Sequence, residues 1–366
     1  MSIIIFIIIL AVLILVHEFG HFIVAKKSGI RVDEFGLGFP PKIYAKKLGD
    51  TLYTLNAIPF GGFVKIFGED AHDTTISEQD KKTSFVYKPK WIQALVLVAG
   101  VTMNIVFAWL LISLGFVIGL PSPVDYAAPG QVKDVHLVVT EVMPGSPAEK
   151  AGLITGDTIL FASSGQIGLQ GDNLTPDNIS HTISESGTKQ IEIMYRRGSA
   201  PQQTLFITPS TTIIPGKKAI GIGTDTIGTL RLPVHKALWE GLKTTWVITK
   251  GTVIGLASFL WSIFRFKSDL SQVSGPIGIA GVVSQATNLG FVYLLSIIAL
   301  ISINLAVINL LPFPALDGGR LLFVFIEAIL GRPISPKVVK WTNFIGFSLL
   351  VLLMVFVTGH DILKLL

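Results

Sequence analysis

Hydrophobic positions fall along this chain in two rhythms. Unbroken apolar runs at about 2–25, 92–120, 290–313 and 341–358 are long enough, at ~1.5 Å rise per residue, to cross a ~30 Å hydrocarbon core as helices. A fifth run at 236–266 carries Glu240, Lys243 and Lys250 among several Trp and Thr residues, which predicts an amphipathic helix lying in the interface. Between them, 136–209 changes to short apolar and polar alternation broken by Gly, Pro, Ser and Asn clusters, the pattern of a small β-rich domain. The stretches 36–39, 51–55 and 60–63 predict strands and turns. The chain is therefore expected to be a polytopic α-helical membrane protein with about four transmembrane helices, membrane-associated β-hairpin elements and an inserted β-rich domain at 121–230.

Composition agrees with a membrane setting: half of the residues are apolar and 14% charged, with a mean hydropathy of +0.64. No Lys or Arg precedes the first run, whereas Lys26, Lys27 and Arg31 follow it, so it should pass from outside to cytoplasm and is not a cleaved signal peptide. The basic loop at 25–90 is then cytoplasmic and the β-rich insert extracytoplasmic. Cysteine is absent, which excludes disulfides, thiolate metal ligands and a cysteine nucleophile. The net charge of +5 carries no nucleic-acid-binding pattern, and no nucleic acid partner is expected.

Within the first run stands His17-Glu18-Phe19-Gly20-His21. An ionised Glu18 at that depth costs several kcal/mol without a partner or water. On a helix His17 and His21 share one face, where two imidazoles can hold Zn²⁺ while the adjacent carboxylate reaches a metal-bound water. A third ligand must come from elsewhere. Asp317 follows Pro312 and Pro314, which break the third span where irregular backbone needs protein or a wet cavity around it. By itself Asp317-Gly318-Gly319 reads as an ordinary turn. Paired with the two histidines, Asp317 completes a His, His and carboxylate set with one open position. The interfacial placement of 236–266 brings it to the cytoplasmic side, at their depth. Asn304 and Asn309 lie on the same broken span and can donate to a developing oxyanion or to substrate backbone, with helix packing an equal reading of Asn304.

In the β-rich insert, Ser146-Pro147-Ala148-Glu149-Lys150-Ala151-Gly152-Leu153 followed by Gly156-Asp157-Thr158-Ile159-Leu160 resembles the core of PDZ domains. Ile220-Gly221-Ile222 is similar to the loop whose amides capture a peptide C-terminus there, a plain glycine-containing edge strand being the other reading. Taken with V-H-E-F-G-H at 16–21, E-F-G-L-G-F-P-P-K at 34–42, I-P-F-G-G-F-V-K at 58–65, S-G-P-I-G-I-A at 274–280 and N-L-L-P-F-P-A-L-D-G-G at 309–319, the chain resembles the site-2 proteases, in particular the bacterial branch that cleaves anti-sigma factors. It carries one PDZ domain where better-known members have two.

That resemblance implies one Zn²⁺ held by His17, His21 and Asp317, with Glu18 as general base. It ties Asn309 to substrate handling and makes a membrane-dipping sheet, including Gly61 and Gly62, a clamp for an unwound substrate. It also implies residence in the bacterial cytoplasmic (inner) membrane, in contact with lipid. The implied substrates are membrane-anchored proteins with a transmembrane helix, such as anti-sigma factors or signal-peptide remnants. Two other classes account for part of the pattern. A membrane metal transporter would use intramembrane His, Glu and Asp, but internal repeats are missing. A catalytically silent PDZ scaffold would have no use for Glu18. His72, His136, His181, His235 and His360 are assigned no role.

Overall fold

The computed structural model describes residues 2–69, 77–126, 128, 130–165, 167–187, 189–198, 200–214, 217–265 and 275–365, so His72, Phe266 and Ser274 lie outside the described residues. Element order is α1 (Ser2–Lys27), β1 (Val32–Leu48), β2 (Thr51–Ile66), α2 (Lys90–Ile118), β3 (Leu120–Pro123), β4 (Val132–Val142), α3 (Pro147–Lys150), β5 (Thr158–Ser164), β6 (Ile167–Gln170), α4 (Pro176–Glu185), β7 (Ile191–Arg196), β8 (Gln203–Ile207), β9 (Ser210–Ile214), β10 (Lys217–Ala219), β11 (Ile222–Leu230), α5 (Val234–Phe264), α6 (Pro276–Leu289), α7 (Phe291–Asn309), α8 (Asp317–Leu330) and α9 (Pro336–Leu365). Two compact units result: Met1–Ser113 with Leu238–Ser284 and Leu295–Leu366, and Leu114–Ala237 with Gln285–Leu294.

In the first unit, five described helices are long and apolar enough to cross a membrane: α1, α2, α5, α7 and α9. The first four apolar runs correspond to α1, α2, α7 and α9. The fifth helix, α5, has the lowest mean hydropathy of the set, 1.4 against 2.0 to 2.6, and none of its most apolar stretch is buried. Trp239, Trp246 and Trp261 stand exposed along it. Boundaries move in physically informative ways. The third apolar run extends to 313, but α7 stops at Asn309, before Pro312 and Pro314. Pro336 sits in the first turn of α9, where its missing N–H has no helical acceptor to serve.

Helices α6 and α8 have no counterpart in the sequence pattern. Rather than ending in an open turn, Asp317-Gly318-Gly319 begins α8, and residues 310–316 fold back onto its first turn. A Cβ on Gly318 would lie 2.2 Å from the Leu311 carbonyl oxygen, and one on Gly319 would lie 2.2 Å from that of Phe313. No side chain fits at either position, so the two glycines let the loop close and fix where Asp317 begins its helix. At the other end Glu327 joins Lys90 of α2 at 2.6 Å and accepts the Ile334 N–H at 3.0 Å. The amides of Gly275 and Gly278 donate to Asp361 of α9 at 3.1 and 2.8 Å, capping the start of α6.

Strands β1 and β2 are long and folded on themselves. Residues Glu34–Leu37 pair on one side with Leu52–Leu55 and on the other with Gly62–Lys65, while Lys46–Leu48 pair with Thr51–Tyr53. Gly62–Ile66 is therefore an edge. The sheet packs on α1 through a cluster of Ala25, Ile30, Val32 and Ile66, which also takes in Val96 and Leu97 of α2 and Val324 of α8.

The second unit is built on a sheet ordered β3-β11-β4-β5-β7-β8, with β6 added to β5 and a separate β9-β10 hairpin. Its core joins Leu137, Val139, Ile159, Ile191 and Ile193 to Ile179 and Ile183 of α4. Ser146 caps α3 by accepting the Glu149 N–H, Pro147 occupies the first turn, and Gly152 follows in the left-handed region at φ +91°. Beyond it Asp157 is fully buried. Its two oxygens accept from Arg197 Nε and Nη2, both at 2.8 Å, and one also accepts the Ile154 N–H at 3.0 Å. Truncation removes both bonds from Arg197, whose exposed guanidinium keeps the Gly152 carbonyl and water, and leaves the Ile154 amide without its acceptor. Asp157→Ala should therefore cost about 2 kcal/mol, read as faster hydrogen exchange across β5 and β7 with helices α1 and α2 unchanged.

Candidate metal centre

Three side chains that are far apart in sequence converge in the first unit. His17 Nε2 lies 2.9 Å from Asp317 Oδ2, His21 Nε2 lies 3.2 Å from the same oxygen, and the two Nε2 atoms are 3.2 Å apart. Both imidazoles are buried, meeting edge to face at 83°. A tetrahedral ion with bonds of ~2.0–2.1 Å sets its ligand atoms ~3.3 Å apart. The observed triangle has nearly that edge on all three sides, and two imidazoles with one carboxylate suit zinc and leave a fourth position open. Among the described residues, these form a group of His and carboxylate ligands able to hold a metal.

Helix α2 supplies the wall behind them. A Cβ on Gly100 would lie 2.4 Å from His21 Nε2 and 2.8 Å from His17 Cε1, and one on Gly20 would lie 2.4 Å from the Ala99 carbonyl oxygen. The two glycines let α1 and α2 approach backbone to backbone, so the imidazoles fill the space a side chain would take. Four residues to either side of Gly100, the same face presents the Val96 carbonyl, which accepts from His21 Nδ1 at 2.8 Å, and Asn104, whose Nδ2 is 3.3 Å from His17 Nδ1. The zinc-binding spacing pointed to α1 alone. Gly100 and Asn104 were detectable as a small residue and an amide four apart in an apolar span.

A cleft of about 140 Å³ opens at this cluster, lined by Glu18, His21 and Asp317 with Phe63, Val64, Ile66, Leu97, Glu69 and Arg320. The Val64 backbone amide faces the Glu18 carboxylate, and Phe63, Val64 and Ile66 bring the edge of the sheet along the cleft. A Cβ on Gly62 would meet Glu18 Cγ at 3.9 Å and the Gly36 carbonyl oxygen at 2.9 Å, while one on Gly61, at φ +95°, would meet Ile14 and Phe39. Arg320 stands three residues along α8 from Asp317 and pairs with Glu69 at 3.0 Å. Neither residue was singled out from the sequence. Asn304 and Asn309 lie on α7, and neither is among the residues lining this cleft.

The 220–222 stretch belongs to the second unit. Ile220 is buried in its core and its carbonyl accepts the Ala148 N–H at 2.9 Å; Gly221, at φ +80°, accepts the Met143 N–H at 2.9 Å. A groove of about 120 Å³ lies between α4 and the start of β11, lined by Ile179, Ile183, Ile220, Gly221 and Ile222, with Ile213 of the β9-β10 hairpin at its side.

Membrane-length helices around two histidines, an aspartate and an adjacent glutamate make the arrangement of a membrane-embedded metallopeptidase. Comparison with known proteins agrees. The profile of peptidase family M50 matches residues 5–353. The chain is 34% identical over 351 residues to a provisionally named zinc metalloprotease of Clostridium perfringens, covering 96% of this chain and 95% of the relative. It is 30% identical over 441 residues to the regulator of sigma-W protease RasP of Bacillus subtilis, covering 100% and 99%. With the zinc metalloprotease RasP of Oceanobacillus iheyensis it shares 29% over 445 residues, again covering 100% and 99%. The chain belongs to peptidase family M50.

The close contact at Gly100 is directly testable. Gly100→Ala should lower the metal bound per chain several-fold, measured by elemental analysis, while the helical circular dichroism of the purified protein is kept.

Proposed function

We propose that this peptidase is a zinc metalloprotease that hydrolyses peptide bonds within transmembrane segments, with His17, His21 and Asp317 holding one Zn²⁺ and Glu18 acting as general base. The observation that carries this reading is the donor triangle of 2.9, 3.2 and 3.2 Å with Glu18 in the same cleft. Bound zinc supplies Lewis-acid chemistry, activating water near neutral pH and polarising the scissile carbonyl. Glu18 takes the proton of the attacking water and delivers it to the leaving nitrogen. The carboxylate is held for this by the Val64 amide.

A transmembrane helix has its carbonyls already hydrogen-bonded, so it must unwind before it can react. The Gly62–Ile66 edge is suited to receive it, because a strand added there regains the backbone bonds that the helix loses. Gly61 and Gly62 leave the start of that edge without side chains, and Asn309 handles substrate where α7 breaks. Substrates are single-span membrane-anchored proteins of the anti-sigma-factor or signal-peptide-remnant kind. The protein sits in the bacterial cytoplasmic membrane in contact with lipid, its metal centre toward the cytoplasm and four helices crossing, with α5 lying in the interface. Residues 121–230 form an extracytoplasmic PDZ domain, whose groove beside Ile220, Gly221 and Ile222 takes a peptide C-terminus. Supporting this are the Ser146-capped turn, the left-handed Gly152 and the groove between α4 and β11.

Two measurements test the reading. Glu18→Gln should retain zinc yet lose cleavage of a single-span substrate in detergent, and full proteolysis by that variant would reject Glu18 as the base. Proline placed along Gly62–Ile66 should abolish cleavage of helical substrates and leave zinc content and hydrolysis of unstructured peptides in place. Equal loss on both substrates would reject the clamp.

A further inference from the structure

Asn104 is fully buried, and its Oδ1 has no hydrogen-bond partner, while its Nδ2 faces His17 Nδ1 at 3.3 Å. The terminal amide has two orientations of the same shape, and they demand opposite tautomers of the imidazole. With Nδ2 toward the ring, His17 Nδ1 must carry the lone pair. Its proton then sits on Nε2, the nitrogen that faces His21 and Asp317, and a protonated nitrogen cannot ligate. With the amide turned by 180°, Oδ1 accepts from Nδ1–H. One rotation gives the oxygen a partner and frees the Nε2 lone pair toward the other two ligands, with Nδ2 taking the place the oxygen leaves.

His21 already follows the second pattern, since its Nδ1 can only donate to the Val96 carbonyl at 2.8 Å. Both outer partners come from one face of α2, at positions 96 and 104 around Gly100. The backbone at Asn104 is also fixed, because the buried Ser302 hydroxyl of α7 donates to its carbonyl at 2.8 Å.

We propose that Asn104 is a positioning residue of the metal centre: its Oδ1 accepts the Nδ1 proton of His17 and so holds that imidazole in the tautomer and plane that present Nε2 as a ligand. This rests on the assignment of His17, His21 and Asp317 as the metal ligands. An outer hydrogen bond of this kind is typically worth ~10–100-fold in metal affinity. Asn104 is not among the residues lining the cleft.

The test is zinc affinity of the full-length protein in detergent, by competition with a chromophoric chelator, for wild type, His17→Ala, Asn104→Leu and Asn104→Asp. Asn104→Leu keeps the volume and removes the acceptor, and should weaken zinc binding about 10–100-fold. Asn104→Asp keeps an acceptor and removes the donor, and should bind zinc at least as tightly as wild type. The Asp variant decides the matter even where Leu prevents folding. A folded Asn104→Asp protein that binds zinc more weakly than wild type overturns the proposal. Unchanged affinity in a folded Asn104→Leu protein overturns it as well. Failure of the underlying ligand assignment looks different: His17→Ala would then bind zinc as wild type does.

Discussion

Everything at the metal centre depends on how closely two apolar helices approach. Gly20 and Gly100 bring α1 and α2 to backbone distance, and the imidazoles occupy the space left where a side chain on α2 would stand. In lipid no hydrophobic drive favours helix against helix, so close packing of small residues and a few buried hydrogen bonds must hold the pair together. The histidines serve both ends. Their Nε2 atoms converge on Asp317, and their Nδ1 atoms tie α1 to α2 at Val96 and Asn104.

Asp317 reaches this pair through a second close approach. Gly318 and Gly319 admit the carbonyls of Leu311 and Phe313 onto the first turn of α8, and Glu327 anchors the far end of that helix to Lys90. The carboxylate is thus delivered by a rigid helix start rather than by a mobile loop. Rigid delivery matters because ligand atoms must stay within a few tenths of an ångström of their places for a tetrahedral ion to bind.

Much of this was legible in the residues, and the remainder has definite causes. The spacing of His17 and His21 forces both onto one helix face, and the intramembrane Glu18 demands a use, so the first half of the centre followed from local rules. Asp317 was legible only in company, because Asp-Gly-Gly is ambiguous until the carbonyls that exclude a side chain are known. Helix α8 was hidden for the same reason: two glycines at a helix start argue against a helix in any propensity scale. Gly100 and Asn104 show in the sequence only as a small residue and an amide four apart, while Glu69 and Arg320 contribute through a contact between distant segments, which periodicity cannot encode. The short turn from Ser146 to Gly152, by contrast, is wholly local, and its cap, proline and left-handed glycine stand where the sequence puts them.

One amide on the sheet edge carries more than its share. The Val64 amide faces the Glu18 carboxylate, and a single N–H proton serves one acceptor well. A visiting strand laid along Gly62–Ile66 needs that same proton for its own carbonyl. A segment docked on the edge and the Glu18 carboxylate would therefore compete for one donor, which links occupancy of the edge to the setting of that side chain.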